Sequence, residues 1–230
     1  MSGGGHRPQL DTTPGHCQSS GGAYVTAKLA ERRVQPGDDL LSRIVTTPMN
    51  GRLMCEEEQI SMGRGVLAGG LDTVAASMSL AAWFLLRNPA HAAQLRARPE
   101  LINNAIDEMF RRFSIPNIAR VVVAHTILRG VELKAGDYVF MPVALHGLDE
   151  ALFPDAERVD FERKDARTQA VFSRGAHNCP GSTLARSEMR IFLKEWLARV
   201  PPFRPARSAG AFWHWHRARR DATSARMGLA

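Results

Sequence analysis

Apolar residues along most of this chain recur every three or four positions, the spacing of a helix with one buried face. The clearest case is Ile102, Ala105, Ile106, Met109, Phe110 and Phe113, which predicts an amphipathic helix over 99–113. Pro99 suits its first turn and Pro116 closes it. A second stripe, Ala185, Met189, Phe192, Leu193 and Trp196, predicts a helix over 182–199 that ends at Pro201-Pro202. Shorter helices are expected over 22–33 and 39–46, separated by Gln35-Pro-Gly-Asp38, and over 90–98 behind Asn88-Pro89. Between Arg120 and Val143 the text turns β-like, in three short runs divided at Gly130 and at Ala135-Gly136-Asp137. The fold class expected is mainly α with small β-sheets.

Two segments break these patterns. Residues 56–86 read as one long helix, yet it holds Gly63, Gly65, Gly69 and Gly70. Each glycine in a helix interior costs about 1 kcal/mol relative to alanine. A buried helix approached closely by something flat would tolerate them. Residues 147–181 are irregular and polar, and loops of that length in a compact domain are usually functional.

Composition narrows the class. Of 230 residues, 44% are apolar and 23% charged, enough apolar surface for a core, so disorder of the whole chain is excluded. Cys17, Cys55 and Cys179 are distant and odd in number, which excludes a disulfide scaffold and fits a reducing, cytoplasmic setting. No continuous apolar run reads as a membrane span, and the N-terminus has no apolar core of a secretory signal. The net charge of +7 is uneven: residues 201–230 carry six arginines against one acid, Asp221. The basic character belongs to a tail, so a nucleic-acid partner is not expected. Three parts follow: a flexible Gly/Ser/Pro-rich lead over 1–21, a domain over 22–203, and a basic irregular tail over 204–230. Trp213, His214, Trp215 and His216 in that tail have no ordered fold around them, and an out-of-frame or spliced origin is the expectation there.

The chemistry concentrates where the long loop runs into the last helix: Phe172-Ser-Arg-Gly175-Ala-His177-Asn-Cys179-Pro-Gly181. A cysteine just before a helix N-terminus meets backbone N–H groups and the positive end of the macrodipole, which favour a thiolate. Gly175 and Gly181 allow a tight turn and close approach to a flat ligand, and Phe172 supplies an aromatic wall. A lone thiolate presented this way suits an axial ligand to haem iron. Zinc would want three or four Cys, His or carboxylate ligands.

These residues resemble the signature of the haem-thiolate monooxygenases, the cytochrome P-450 family, Phe-x-x-Gly-x-(His/Arg)-x-Cys-x-Gly, at every fixed position. Three more motifs of that family occur in order. Ala68-Gly69-Gly70-Leu71-Asp72-Thr73 is similar to the oxygen-binding motif of its central I helix. Glu108-Met-Phe-Arg111 is similar to the Glu-x-x-Arg of its K helix, and Ala156-Glu-Arg158-Val-Asp-Phe161 to the segment that completes a Glu–Arg–Arg network. Within the family the text is most like the bacterial camphor 5-monooxygenase group. The resemblance covers about residues 22–203 and implies a partial P-450 fold, the C-terminal half, with the central I helix, K helix, cysteine loop and L helix.

The resemblance assigns roles that elementary chemistry makes reasonable. Cys179 is implied as the proximal ligand of heme b, where thiolate donation favours O–O cleavage. Asp72 and Thr73 are implied on the distal side, Thr73 hydrogen-bonding dioxygen or an ordered water and Asp72 relaying protons. Gly69 and Gly70 would let the helix widen beside the iron. Arg120 and His177 occupy positions that bind haem propionates, Arg120 with a planar, always-charged fork. Glu108, Arg111 and Arg158 are expected as a buried structural network, Glu108 and Arg111 sharing one helix face at i, i+3. Ala68, Gly69 and Ile118 would face substrate. Because the camphor group has an acidic residue where Ile118 stands, another substrate is expected.

The implied reaction inserts one oxygen atom from dioxygen into a hydrophobic small molecule. Electrons would come from NAD(P)H through a reductase and a ferredoxin. Family chains are nearly twice as long, lacking here the N-terminal half, and the competing reading is a truncated, catalytically inactive haem-binding remnant.

Overall fold

A computed structural model describes residues 20–201. The lead with Cys17, and the tail from residue 202 with the Trp213–His216 patch, lie outside the described residues. The chain divides into two compact units, residues 1–69 and 70–230, with the boundary inside one long helix.

In the first unit, α1 (Ser20–Val34) and α2 (Leu40–Thr46) bury Val25, Leu29, Ile44 and Val45. Asp39 caps α2: its carboxylate accepts from the Ser42 amide at 2.8 Å and from Arg32 Nε at 2.6 Å. Those donors hold the Asp39 carboxyl well below the usual carboxylate range, at about 2, the Ser42 amide being the larger cause. The long helix α3 (Glu56–Arg87) starts in this unit. Gly63 sits where α1 crosses it, since a Cβ there would fall 2.7 Å from Val25 Cγ1. Arg33 ties the two helices through Gln59 at 2.7 Å and Glu56 at 2.8 Å.

The expectation of a buried glycine-bearing helix is not met in this chain. Residues 64–73 of α3 are exposed without interruption, and Cβ atoms at Gly65, Gly69 and Gly70 would meet open space. Among the described residues, α3 is also the helix long and apolar enough to cross a membrane by length and composition.

The second unit is built on α5 (Ile102–Arg112), entered through a 3-10 turn at Pro99–Leu101. The predicted stripe is buried: Ile102, Ala105, Ile106, Met109 and Phe110. It packs with Ala81 and Leu85 from the end of α3, Ala92 and Leu95 of α4 (Pro89–Ala97), and Met189, Leu193 and Leu197 of α7 (Ser182–Arg199). The β-like text forms four strands, not three. β1 (Asn117–Val121) pairs antiparallel with β4 (Tyr138–Pro142), Ala119 opposite Phe140. Between them β2 (Thr126–Leu128) and β3 (Val131–Leu133) make a hairpin closed by Arg129 and Gly130, both at positive φ as a tight type I′ turn requires. Ile118, expected in a loop, lies in β1 on the same side as Arg120.

The segment 147–181, expected to be structureless, follows the short α6 (Val143–Gly147) and is ordered by buried side chains rather than by a ladder. Phe153, Ala156, Phe161 and Ala166 are buried. Buried loop carbonyls need donors, and arginines provide them. Arg111 donates to the carbonyls of Gly147, Ala156 (2.8 Å) and Arg158 (3.1 Å). Asn104 donates to Phe161 and Arg163.

Candidate haem-thiolate site

The local chain geometry around Cys179 follows from its glycines and its helix. Ser173 and Gly175 both have positive φ, so the backbone reverses sharply after Phe172. A 3-10 turn at Gly175–His177 then brings the chain back, and the Cys179 amide donates to the Phe172 carbonyl at 2.8 Å. Ser182 N–H donates to the Cys179 carbonyl at 3.2 Å, which starts α7 immediately behind the cysteine. Cys179 is half-buried; His177 is exposed. A Cβ at Gly175 would meet nothing, and one at Gly181 would lie 3.8 Å from Cys179 Sγ. The loop therefore has a position without side-chain bulk beside its sulfur, Gly181, and a second in open space at Gly175. That arrangement fits a flat ligand lying over the loop.

Behind this loop stands α5. Glu108 and Arg111 are fully buried and paired at 2.7 and 2.9 Å. Glu108 Oε1 also accepts from the Asp160 amide at 2.9 Å and from Arg163 Nε at 3.2 Å. This corrects one expectation. Arg158 is exposed and contributes only its main-chain carbonyl; the second guanidinium of the network is that of Arg163. Both arginines lie in a segment without periodicity, so only burial tells them apart. Gly147 was missed as well: a Cβ there would overlap the Arg111 carbonyl oxygen.

Residues 38–200 match the family model described as Cytochrome P450. The chain belongs to the cytochrome P450 family. It is 37% identical over 182 residues to the probable cytochrome P450 127A1 of Sinorhizobium fredii, covering 79% of this chain and 44% of that one. It is 33% identical over 187 residues to the pentalenic acid synthase of Streptomyces avermitilis, covering 81% of this chain and 46% of the relative. The crystal structure of cytochrome P450 CYP101C1 superposes with a TM-score of 0.78 at 41% identity, covering 82% of this chain and 49% of that one. The chain thus spans less than half the length of these P450 relatives, and its fold is a partial P450 fold in which α3, α5 and α7 stand as the I, K and L helices. The family implies a haem-thiolate cofactor.

The remaining expected P450 residues occupy three places. Ala68, Gly69, Gly70, Asp72 and Thr73 lie on the exposed stretch of α3. Ile118 and Arg120 are half-buried on β1, with Arg120 Nη1 donating to the Ala119 carbonyl at 2.8 Å. Phe172, half-buried, packs edge-on against Phe110 of α5, ring centres 5.1 Å apart. A cavity of about 510 Å³ lined by Leu80, Trp83, Phe84, His91 and Phe113 holds none of the residues expected to touch haem.

Proposed function

We propose that this chain carries the thiolate-bearing part of a P450 monooxygenase acting on a hydrophobic small molecule. The observation that carries the reading is Cys179, half-buried just before α7 with Gly181 beside its sulfur, within a chain of this family. Bound there, heme b would supply the dioxygen chemistry. One oxygen atom enters the substrate and the other leaves as water, using two electrons and two protons. In this reading Cys179 Sγ would ligate the iron, Gly175 and Gly181 would leave room for the ring, and Arg120 and His177 would hold the propionates. The Asp72 carboxylate takes protons from solvent and the Thr73 hydroxyl passes them on. Gly69 and Gly70 would leave space beside the group, and Ala68 and Ile118 would face substrate. NAD(P)H delivers the electrons through a reductase and a ferredoxin-type donor.

One observation favours a second reading, a chain that binds haem without turnover: Asp72 and Thr73 are both exposed, and water around them would short-circuit an ordered proton relay. Reconstitution with hemin, reduction and carbon monoxide addition test the first step. A thiolate-type spectrum that Cys179→Ala abolishes supports the cofactor assignment, and no such spectrum from the wild-type chain overturns it. NADPH consumption dependent on a hydrophobic substrate and on added ferredoxin and reductase then separates the two readings.

A further inference from the structure

Asp107, beside Glu108 on α5, is a buried carboxylate outside the Glu108–Arg111 network. Its Oδ1 receives Arg186 Nε and Nη2, each at 3.0 Å, and Gln169 Nε2 at 3.4 Å. Both partners reach toward Phe172. The Arg186 guanidinium lies over the Phe172 ring, 4.5 Å from its centre. Gln169 Oε1 accepts the amide of Val171, the residue before Phe172, at 2.7 Å. Phe172 in turn offers the carbonyl that accepts the Cys179 amide. A cation over an aromatic face is attractive, more so when partly desolvated, and a guanidinium tied to a carboxylate loses little further freedom when it stacks.

We infer that Asp107 and Arg186 are positioning residues that clamp Phe172 and thereby fix the backbone that presents Cys179. The clamp ties three elements: α5 gives the carboxylate and Phe110, α7 gives the guanidinium, and the loop between them gives the ring. It rests on the reading of Cys179 as a ligand only for its purpose; the mechanical coupling stands on the contacts themselves. The clamp reaches Cys179 through the Phe172 carbonyl and the Cys179 amide, so its effect is on where the thiol sits and how often the loop opens.

The test is amide hydrogen exchange in the full chain, with and without hemin. In Arg186→Ala and Asp107→Asn the Cys179 amide exchanges about tenfold faster or more, while the amides of α5 stay as protected as in the wild type. Arg186→Lys, which keeps the charge opposite Asp107 but loses the flat stack, falls between the wild type and Arg186→Ala. Alkylation of Cys179 by iodoacetamide, measured without hemin, follows the same order. Equal loss of protection in α5 and the loop, or an unchanged Cys179 amide, overturns the inference, as does Arg186→Lys matching Arg186→Ala. With hemin, the clamp variants convert the thiolate-type carbon monoxide spectrum to the non-thiolate form. If the wild type gives no thiolate spectrum at all, the cofactor reading fails while the exchange data still decide the clamp.

Discussion

Replacing Arg163 by Ala, next to the same change at Arg158, decides which arginine completes the Glu108 network. Arg163 Nε donates to Glu108 Oε1 at 3.2 Å, and its Nη atoms reach the carbonyls of Pro154, Asp155 and Arg158 at 2.8, 3.1 and 3.3 Å. Its side chain is 9% exposed and that of Glu108 0%. A hydrogen bond to a buried charged group contributes about 1.5–3 kcal/mol. The exposed Nη contacts add less, so Arg163→Ala should cost about 2 kcal/mol, a large share of the roughly 5–15 kcal/mol that stabilises a domain. Arg158 keeps its carbonyl in any substitution, and an exposed side chain away from such contacts changes stability by about 0.5 kcal/mol or less. In urea unfolding followed by circular dichroism, a slope of about 2 kcal/mol/M turns these figures into a midpoint shift of about 1 M for Arg163→Ala and almost none for Arg158→Ala. Equal shifts, or a larger one for Arg158→Ala, would refute the reasoning that burial selects Arg163.

Three further outcomes follow from the same contacts. Gly147→Ala should destabilise the second unit by about 1–3 kcal/mol, because the new methyl overlaps the Arg111 carbonyl oxygen and the backbone must shift; thermal unfolding reads the loss. Burial lowers the His146 pKa, with the nearby Arg174 charge adding to it and Asp149 opposing, so His146 is neutral in both states above its unfolded value of 6.5. As pH falls below 6.5 the unfolded chain binds the proton first and stability drops, levelling once the folded His146 also protonates; in His146→Phe that slope should vanish from urea midpoints taken between pH 7.5 and about 5. Asp39, at about 2 in the folded chain against 3.8 unfolded, contributes stability above about pH 4 that disappears as pH falls toward 2. The gap between wild type and Asp39→Ala in α2 amide exchange should therefore close over that range, and a gap unchanged at pH 2 counts against the cap.

Much of the candidate site was already legible locally. The Cys179 segment carries its chemistry in ten adjacent residues, and the stripe of α5 needs only a 3.6-residue period to be read. The division of 147–181 from the helices was equally legible, but its order was not. That order comes from Arg111 and Asn104, whose carbonyl partners lie 36 to 59 positions away. The Asp107–Arg186 pair, 79 positions apart, left one trace: an arginine beside the buried stripe of α7. Such a trace says that a charge sits near a core, not what it meets.

The sequence by itself determined the helical periods, the turn at Gly130, the cysteine loop and the family, because each is encoded among neighbours in the chain. Tertiary structure alone decided that Arg163 and not Arg158 neutralises Glu108, that Gly147 must lack a side chain, that Ile118 belongs to a strand, and that the middle of α3 is exposed. Burial and pairing are properties of what packs against a residue, and chain-neighbour patterns contain no record of partners that arrive from dozens of positions away.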